Sequence, residues 1–190
     1  MIKKLTLYRK LYEIDNFEYP AAIEKDFDLR CAIKSYTKYG FDYVNPYLRT
    51  GKTTSGEDYV QKSIYFMDKA IELYQELLRK HNIDTSIKTY RKIVIHKDEI
   101  DSFLEQLKTG TFIDKAYQST SLINNYRYGY TNHYKVQMCF ELTSLNCGAF
   151  IGGVSKYGNE CEFLIKRDVP FEVIKVTQKG NKIKVRLRNK

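Results

Sequence analysis

Residues 158–189 read GNECEFLIKRDVPFEVIKVTQKGNKIKVRLRN, and this stretch sets the class of the fold. CEFLIK, PFEVIKVTQ and NKIKVRLRN are short runs rich in Ile, Val and Phe, bounded by turn residues, so each reads as a strand. The last two predict a hairpin across Lys179-Gly180-Asn181. Working back from here, GAFIGG, YKVQMCFEL and KAYQSTS add strand candidates, and IKTYRKIVIH (87–96) is β-rich and partly alternating. DEIDSFLEQLKTG reads as one short helix among them, capped by Asp98 and stopped at Gly110.

The first half of the chain has a different period. In YPAAIEKDFDLRCAIKSYTKYG, Ala22, Ile23, Phe27, Leu29, Ala32, Ile33 and Tyr36 recur at helical spacing, predicting one helix ended by Gly40. TGKTTSG (50–56) reads as a loop. SGEDYVQKSIYFMDKAIELYQELLRKH is the clearest helix: Ser55 and Asp58 have the spacing of a capping box, and Val60, Ile64, Met67, Ile71, Tyr74 and Leu78 form one apolar stripe. Helices first and strands afterwards predict an α+β fold with a mainly antiparallel sheet.

Length and composition bound the function. The chain has 190 residues, enough for one ordinary globular domain. Lys and Arg number 32 against 23 Asp and Glu, a net charge of +9 that favours an acidic partner: a phosphate-bearing molecule, a nucleic acid or an acidic protein surface. No run of 18 apolar residues exists, so no membrane-spanning helix is expected, and the basic N-terminus lacks the apolar core of a signal peptide. Cys31, Cys139, Cys147 and Cys161 show no CxxC spacing and read as buried free thiols, with a 139–147 bridge left open. His81, His96 and His133 form no ligand motif, so no metal is expected.

Three polar islands interrupt the strand half. Arg91-Lys92 places two cations inside an apolar run, which on its own fits an edge strand. Ser119, Thr120 and Ser121 close another strand, as a turn often does. Glu160 and Glu162 lie one residue apart. In a strand they share a face, roughly 6–7 Å apart along the backbone, where each raises the other's pKa.

The order Arg strand, Ser-Thr-Ser strand, Glu-x-Glu resembles the mono-ADP-ribosyltransferases of the R-S-E type, a group that includes actin-modifying clostridial binary toxins and C3-like exoenzymes. The likeness extends to AIKSYTKYGFDYVNPYLR, MDKAIELYQ, TYRKIVI, DKAYQSTSL and GAFIGGVSKYGNECEFLIKRDVPFEVIKV, about residues 20 to 177. It implies an ADP-ribosyltransferase fold in which a mainly antiparallel β-sandwich core carries N-terminal helices. The implied organisation is a single domain, 1–85 mainly helical and 86–190 mainly β with the NAD site. The implied activity is that of a glycosyltransferase: cleavage of the nicotinamide–ribose bond of NAD and transfer of ADP-ribose to a protein, through an oxocarbenium-like transition state.

By this resemblance Glu162 is the anion beside the ribose, Ser119 holds it, and Arg91 binds the pyrophosphate. Lys92, Asn45, Arg49, Thr120 and Ser121 are expected in the NAD-binding group. One basic residue after Ser-Thr-Ser, Arg127 or Lys135, is expected to meet phosphate. Glu160 implies an arginine acceptor, since a second carboxylate orients a guanidinium and takes its proton, and Tyr157 is expected to face the target. The partner is then a protein with an acceptor arginine, actin-like or other, with no membrane and no nucleic acid. The site is expected in the cytoplasm of producer or target cell, as for a bacterial or phage effector. An NAD glycohydrolase using water and a basic nucleic-acid-binding module are the competing readings.

Overall fold

The computed structural model describes residues 10–124, 133–155 and 161–189. After a π-helical turn at Ile14–Glu18, helices α1 (Tyr19–Lys25), α2 (Phe27–Ser35), α3 (Phe41–Thr50) and α4 (Glu57–Lys80) come first. Strands β1 (Ile87–Ile95), β2 (Thr111–Ile113), β3 (Gln118–Ser121), β4 (Tyr134–Leu142), β5 (Gly148–Phe150), β6 (Glu162–Ile165), β7 (Pro170–Lys179) and β8 (Lys182–Asn189) follow, with α5 (Ile100–Lys108) between β1 and β2. The α+β class with N-terminal helices therefore holds.

The single helix expected over residues 20–39 is broken. Asp26 leaves the helical region at φ −109°, and its carboxylate accepts from the backbone N–H groups of Asp28 and Leu29, so it ends α1 and caps α2. Gly40 stops nothing: a π-helical turn at Tyr36–Gly40 carries the chain into α3, which ends at Gly51. The capping box at Ser55 and Asp58 does not form, because Gly56 occupies the cap of α4 without a side-chain bond. Asp98 likewise lies in the turn before α5, whose cap is Glu99. The apolar stripe of α4 is buried at Val60, Met67, Ile71, Tyr74 and Leu78, with Ile64 packed at its margin.

The eight strands join in the order β2-β7-β8-β4-β1-β3-β6-β5, antiparallel except for the β4–β8 pair. Two parts of this sheet meet at a narrow seam, since β1 and β3 share the single registered pair Tyr90↔Ser121. β1 is thus an interior strand and not the edge its two cations suggested. At the far edge Gly148 is required by contact: a Cβ there would lie 2.3 Å from the Leu164 carbonyl oxygen of β6. The β7–β8 hairpin turns through Gly180 at φ 57°, a conformation that disfavours side chains. β2 had no distinct signal in its three residues.

The helices are pinned to the sheet by buried hydroxyls. Tyr117, fully buried ahead of β3, donates to Asp68 of α4 at 2.7 Å, and Arg167 beyond β6 reaches the same carboxylate at 2.8 Å. Each buried phenol needs such a partner, because an unsatisfied polar group costs about 1–3 kcal/mol. All four cysteines are free thiols, but of the burial expected for them Cys147 alone has it: Cys139 and Cys161 are half-buried and Cys31 is exposed.

Candidate active site

The seam between β1 and β3 gathers the polar residues. Side chains alternate along β1, so Arg91 shares a face with buried Thr89 and Ile95. Its Nη1 donates to the Ser119 carbonyl oxygen at 2.8 Å across the seam. Ser119 Oγ in turn donates to Glu162 Oε1 at 2.5 Å. The register explains this bond: Ser121 stands opposite Glu162, so Ser119, two residues along, lies diagonally on the same face. Glu162 is only 6% exposed, so its charge is held by fixed donors more than by water. The chain enters β6 through Cys161 at φ 46°, a left-handed residue immediately before Glu162.

Helices α2 and α3 close the other side. Tyr36 is buried, and its ring packs edge-on to Tyr117 at 5.5 Å. Burial holds its phenol well above the ordinary range, and the charges of Arg91, Arg49 and Glu162 all act on it. Its hydroxyl is bonded to the Asn45 side-chain amide. Arg49 forms a two-pronged pair with Asp114 at 2.9 and 2.8 Å. Asp114 is also fixed by the Ala116 N–H and by the Gln118 amide. Burial lowers the pKa of Arg91, an effect opposed by Tyr36, Asp114 and Glu162.

Arg91, Ser119, Ser121 and Glu162 are therefore together, with Arg49 and Asn45 alongside. The other expected residues are placed differently. Thr120 points to the opposite side of β3 and donates to the Phe163 carbonyl oxygen at 2.6 Å, as strand alternation requires. Lys92 follows Arg91 and so projects from the outer face of β1, and Lys135, paired with Val94 in register, lies on that same outer face. Arg127, Tyr157 and Glu160 lie outside the described residues. Asp114 escaped the sequence reading because its role depends on a partner 65 positions away, and no local pattern marks it.

Residues 28–189 match the family model described as ADP-ribosyltransferase exoenzyme. The chain belongs to this family. Members of the ADP-ribosyltransferase exoenzyme family take ADP-ribose from NAD, so the chain is a transferase with NAD as its substrate. No curated protein sequence matches it. The fold is shared with solved ADP-ribosyltransferases at low identity. HopU1 of Pseudomonas syringae is 17% identical with a TM-score of 0.68, over 97% of this chain and 87% of HopU1. BECa of C. perfringens, solved with NADH, is 17% identical with a TM-score of 0.70, over 97% of this chain and 48% of BECa. Vis of Vibrio splendidus, solved with agmatine, is 17% identical with a TM-score of 0.64, over 87% of this chain and 75% of Vis. Among the described residues, no cluster of ligating side chains could hold a metal ion.

Proposed function

We propose that this chain is an NAD-dependent mono-ADP-ribosyltransferase acting on an arginine of a target protein. The observation that carries the proposal is the relay Arg91–Ser119–Glu162, with its 2.8 and 2.5 Å bonds across the seam. The residues suit a dinucleotide. Arg91 is half-buried, makes one hydrogen bond and has no ion pair among the described residues, which leaves most of its five N–H donors for a pyrophosphate. NAD supplies the ribose–nicotinamide bond that breaks.

Glu162 is the anion for the positive charge that grows on the ribose as that bond lengthens. Ser119 fixes its carboxylate, so little reorganisation is needed when the charge appears. Arg49, oriented by Asp114, supplies a second cation for the phosphates, and Asn45 acts through Tyr36 by holding its phenol in place. Glu160 accepts the incoming guanidinium, whose pKa above about 12 makes it a poor nucleophile until a carboxylate draws off a proton. The structure of Vis with agmatine, a guanidinium compound, supports the arginine reading by analogy of fold.

The test is Glu160→Gln, assayed for NAD hydrolysis and for transfer to agmatine on the same preparation. Hydrolysis should survive and transfer should fall by about a hundredfold, since an amide neither pairs with nor deprotonates a guanidinium. Equal losses in both would assign Glu160 to NAD cleavage and remove the basis for arginine.

A further inference from the structure

The outer face of the sheet, on the reverse of β1 from Arg91, has a charge pattern that catalysis does not use. In register across β7, β8, β4 and β1 it consists of four rows. The first is Glu172, Arg188, Glu141 and Lys88, two carboxylates among two cations. The second is Lys175, Arg186, Cys139 and Tyr90. The third is Thr177, Lys184, Gln137 and Lys92, and the last is Lys179, Lys182, Lys135 and Val94. Leaving Lys92 aside, eight cations and two carboxylates leave a surplus of six on this one face, against a net charge of +9 for the whole chain. The last three rows contain no carboxylate. Lys179, Lys182 and Lys135 stand directly opposite one another, an arrangement that destabilises a sheet.

We propose that this face docks the enzyme on an anionic lipid bilayer. The patch is about 15 Å by 20 Å, from ordinary strand and residue spacings, and it is lined by lysines on long flexible stems. Its two arginines are tied to Glu141, at 2.8 Å from Arg186 and 3.1 Å from Arg188, so the far end, at Lys135, Lys179, Lys182 and Lys184, presents point charges rather than guanidinium forks. Such charges suit a laterally mobile array of anionic headgroups, which needs no fixed geometry. A nucleic acid is less well matched: among the described residues Tyr90 is the single aromatic side chain in these four rows. Arg91 lies on the other side of β1, while Tyr90 of this face stands in register with Ser121, so the docked face borders the catalytic seam. A surface contact also needs no apolar span, consistent with the lack of any helix among the described residues long and apolar enough to cross a membrane.

The experiment is co-sedimentation of the full chain with vesicles of phosphatidylserine and phosphatidylcholine, and with phosphatidylcholine alone. A double-stranded oligonucleotide is titrated in the same buffers. Binding should occur to the anionic vesicles only and weaken steeply with added salt. Each unit of charge removed should cost about fivefold in partitioning, so Lys182→Glu with Lys184→Glu should lose roughly a hundredfold or more. A charge-matched control, Lys25→Glu with Lys38→Glu on the helices, should lose far less. Lys182→Glu also places an opposite charge between two lysines, so unchanged or raised thermal stability would separate lost docking from unfolding. No binding to anionic vesicles, equal losses in both double variants, or tighter binding to the oligonucleotide at matched salt would each overturn the proposal.

Discussion

Arg91 and Lys92 are neighbours in sequence and occupy opposite worlds. Arg91 faces the seam, where burial depresses its pKa and the charges of Tyr36, Asp114, Arg49 and Glu162 act on it. Lys92 faces outward into a lattice of lysines and arginines. The seam contains few charges, each oriented by a named bond. The outer face contains many charges, three of them gathered on Glu141. Charge in the first region is suited to reacting atoms, because fixed dipoles need no rearrangement. Charge in the second is suited to stability at one end and long-range attraction at the other. The boundary lies at Glu141, the one carboxylate facing Lys88, Arg186 and Arg188.

The sharpest way to break this comparison is Glu162→Gln. Transfer and NAD hydrolysis should both fall about 10²–10³-fold, with little change in melting temperature. Near-normal hydrolysis would place the reactive anion elsewhere. Glu141→Gln should do the reverse, costing about 2 kcal/mol of stability by calorimetry and leaving NAD turnover intact, because charged hydrogen bonds to three cations are weakened.

That second effect should depend on pH. Arg186, Lys88 and Arg188 hold the Glu141 carboxyl down at about 2. Its folded pKa is thus below the ordinary unfolded value near 4.3. Its stabilisation is present above that value and is lost as pH falls toward 2, so wild type and Glu141→Gln should converge in unfolding free energy at the acid end. A gap that stays constant from pH 7 to about pH 2 would mean that Glu141 acts by packing alone.

Arg91→Lys should weaken NAD binding roughly tenfold in a titration, since an ammonium keeps the charge and loses the fork. Unchanged affinity would make the bond to Ser119 a purely structural strut. The smallest effect is expected from Lys182→Glu alone, a stability change of a few tenths of a kcal/mol, if anything favourable. A loss of more than about 2 kcal/mol would show that the lysine rows are part of the fold's own support.

The order of elements was legible in the sequence because it rests on local periodicity: the stripe of α4, the β7–β8 hairpin and the strand ending in Ser119–Ser121 all came out where their patterns placed them. The caps were less legible. Ser55, Asp98 and Gly40 had suitable chemistry, but Gly56, Glu99 and the turn at Tyr36–Gly40 took those positions once packing fixed the helix axes. Asp26, a capping residue by type, was hidden inside an apolar period that runs across it.

The amino-acid sequence by itself determined the class of fold, the three polar islands and the alternation that puts Arg91 and Lys92 on opposite faces. Tertiary structure alone decided which islands meet. The single Tyr90↔Ser121 pair brings β1 to β3, and the β3–β6 register sets Ser119 diagonal to Glu162. Asp114, the residue after β2, meets Arg49 near the end of α3 only through the folding together of positions 65 residues apart. The same holds for the lysine face, whose rows are drawn from four strands spread over residues 88 to 188. Local pattern fixes which way a side chain points along its own strand, and only the pairing of distant strands fixes what it points beside.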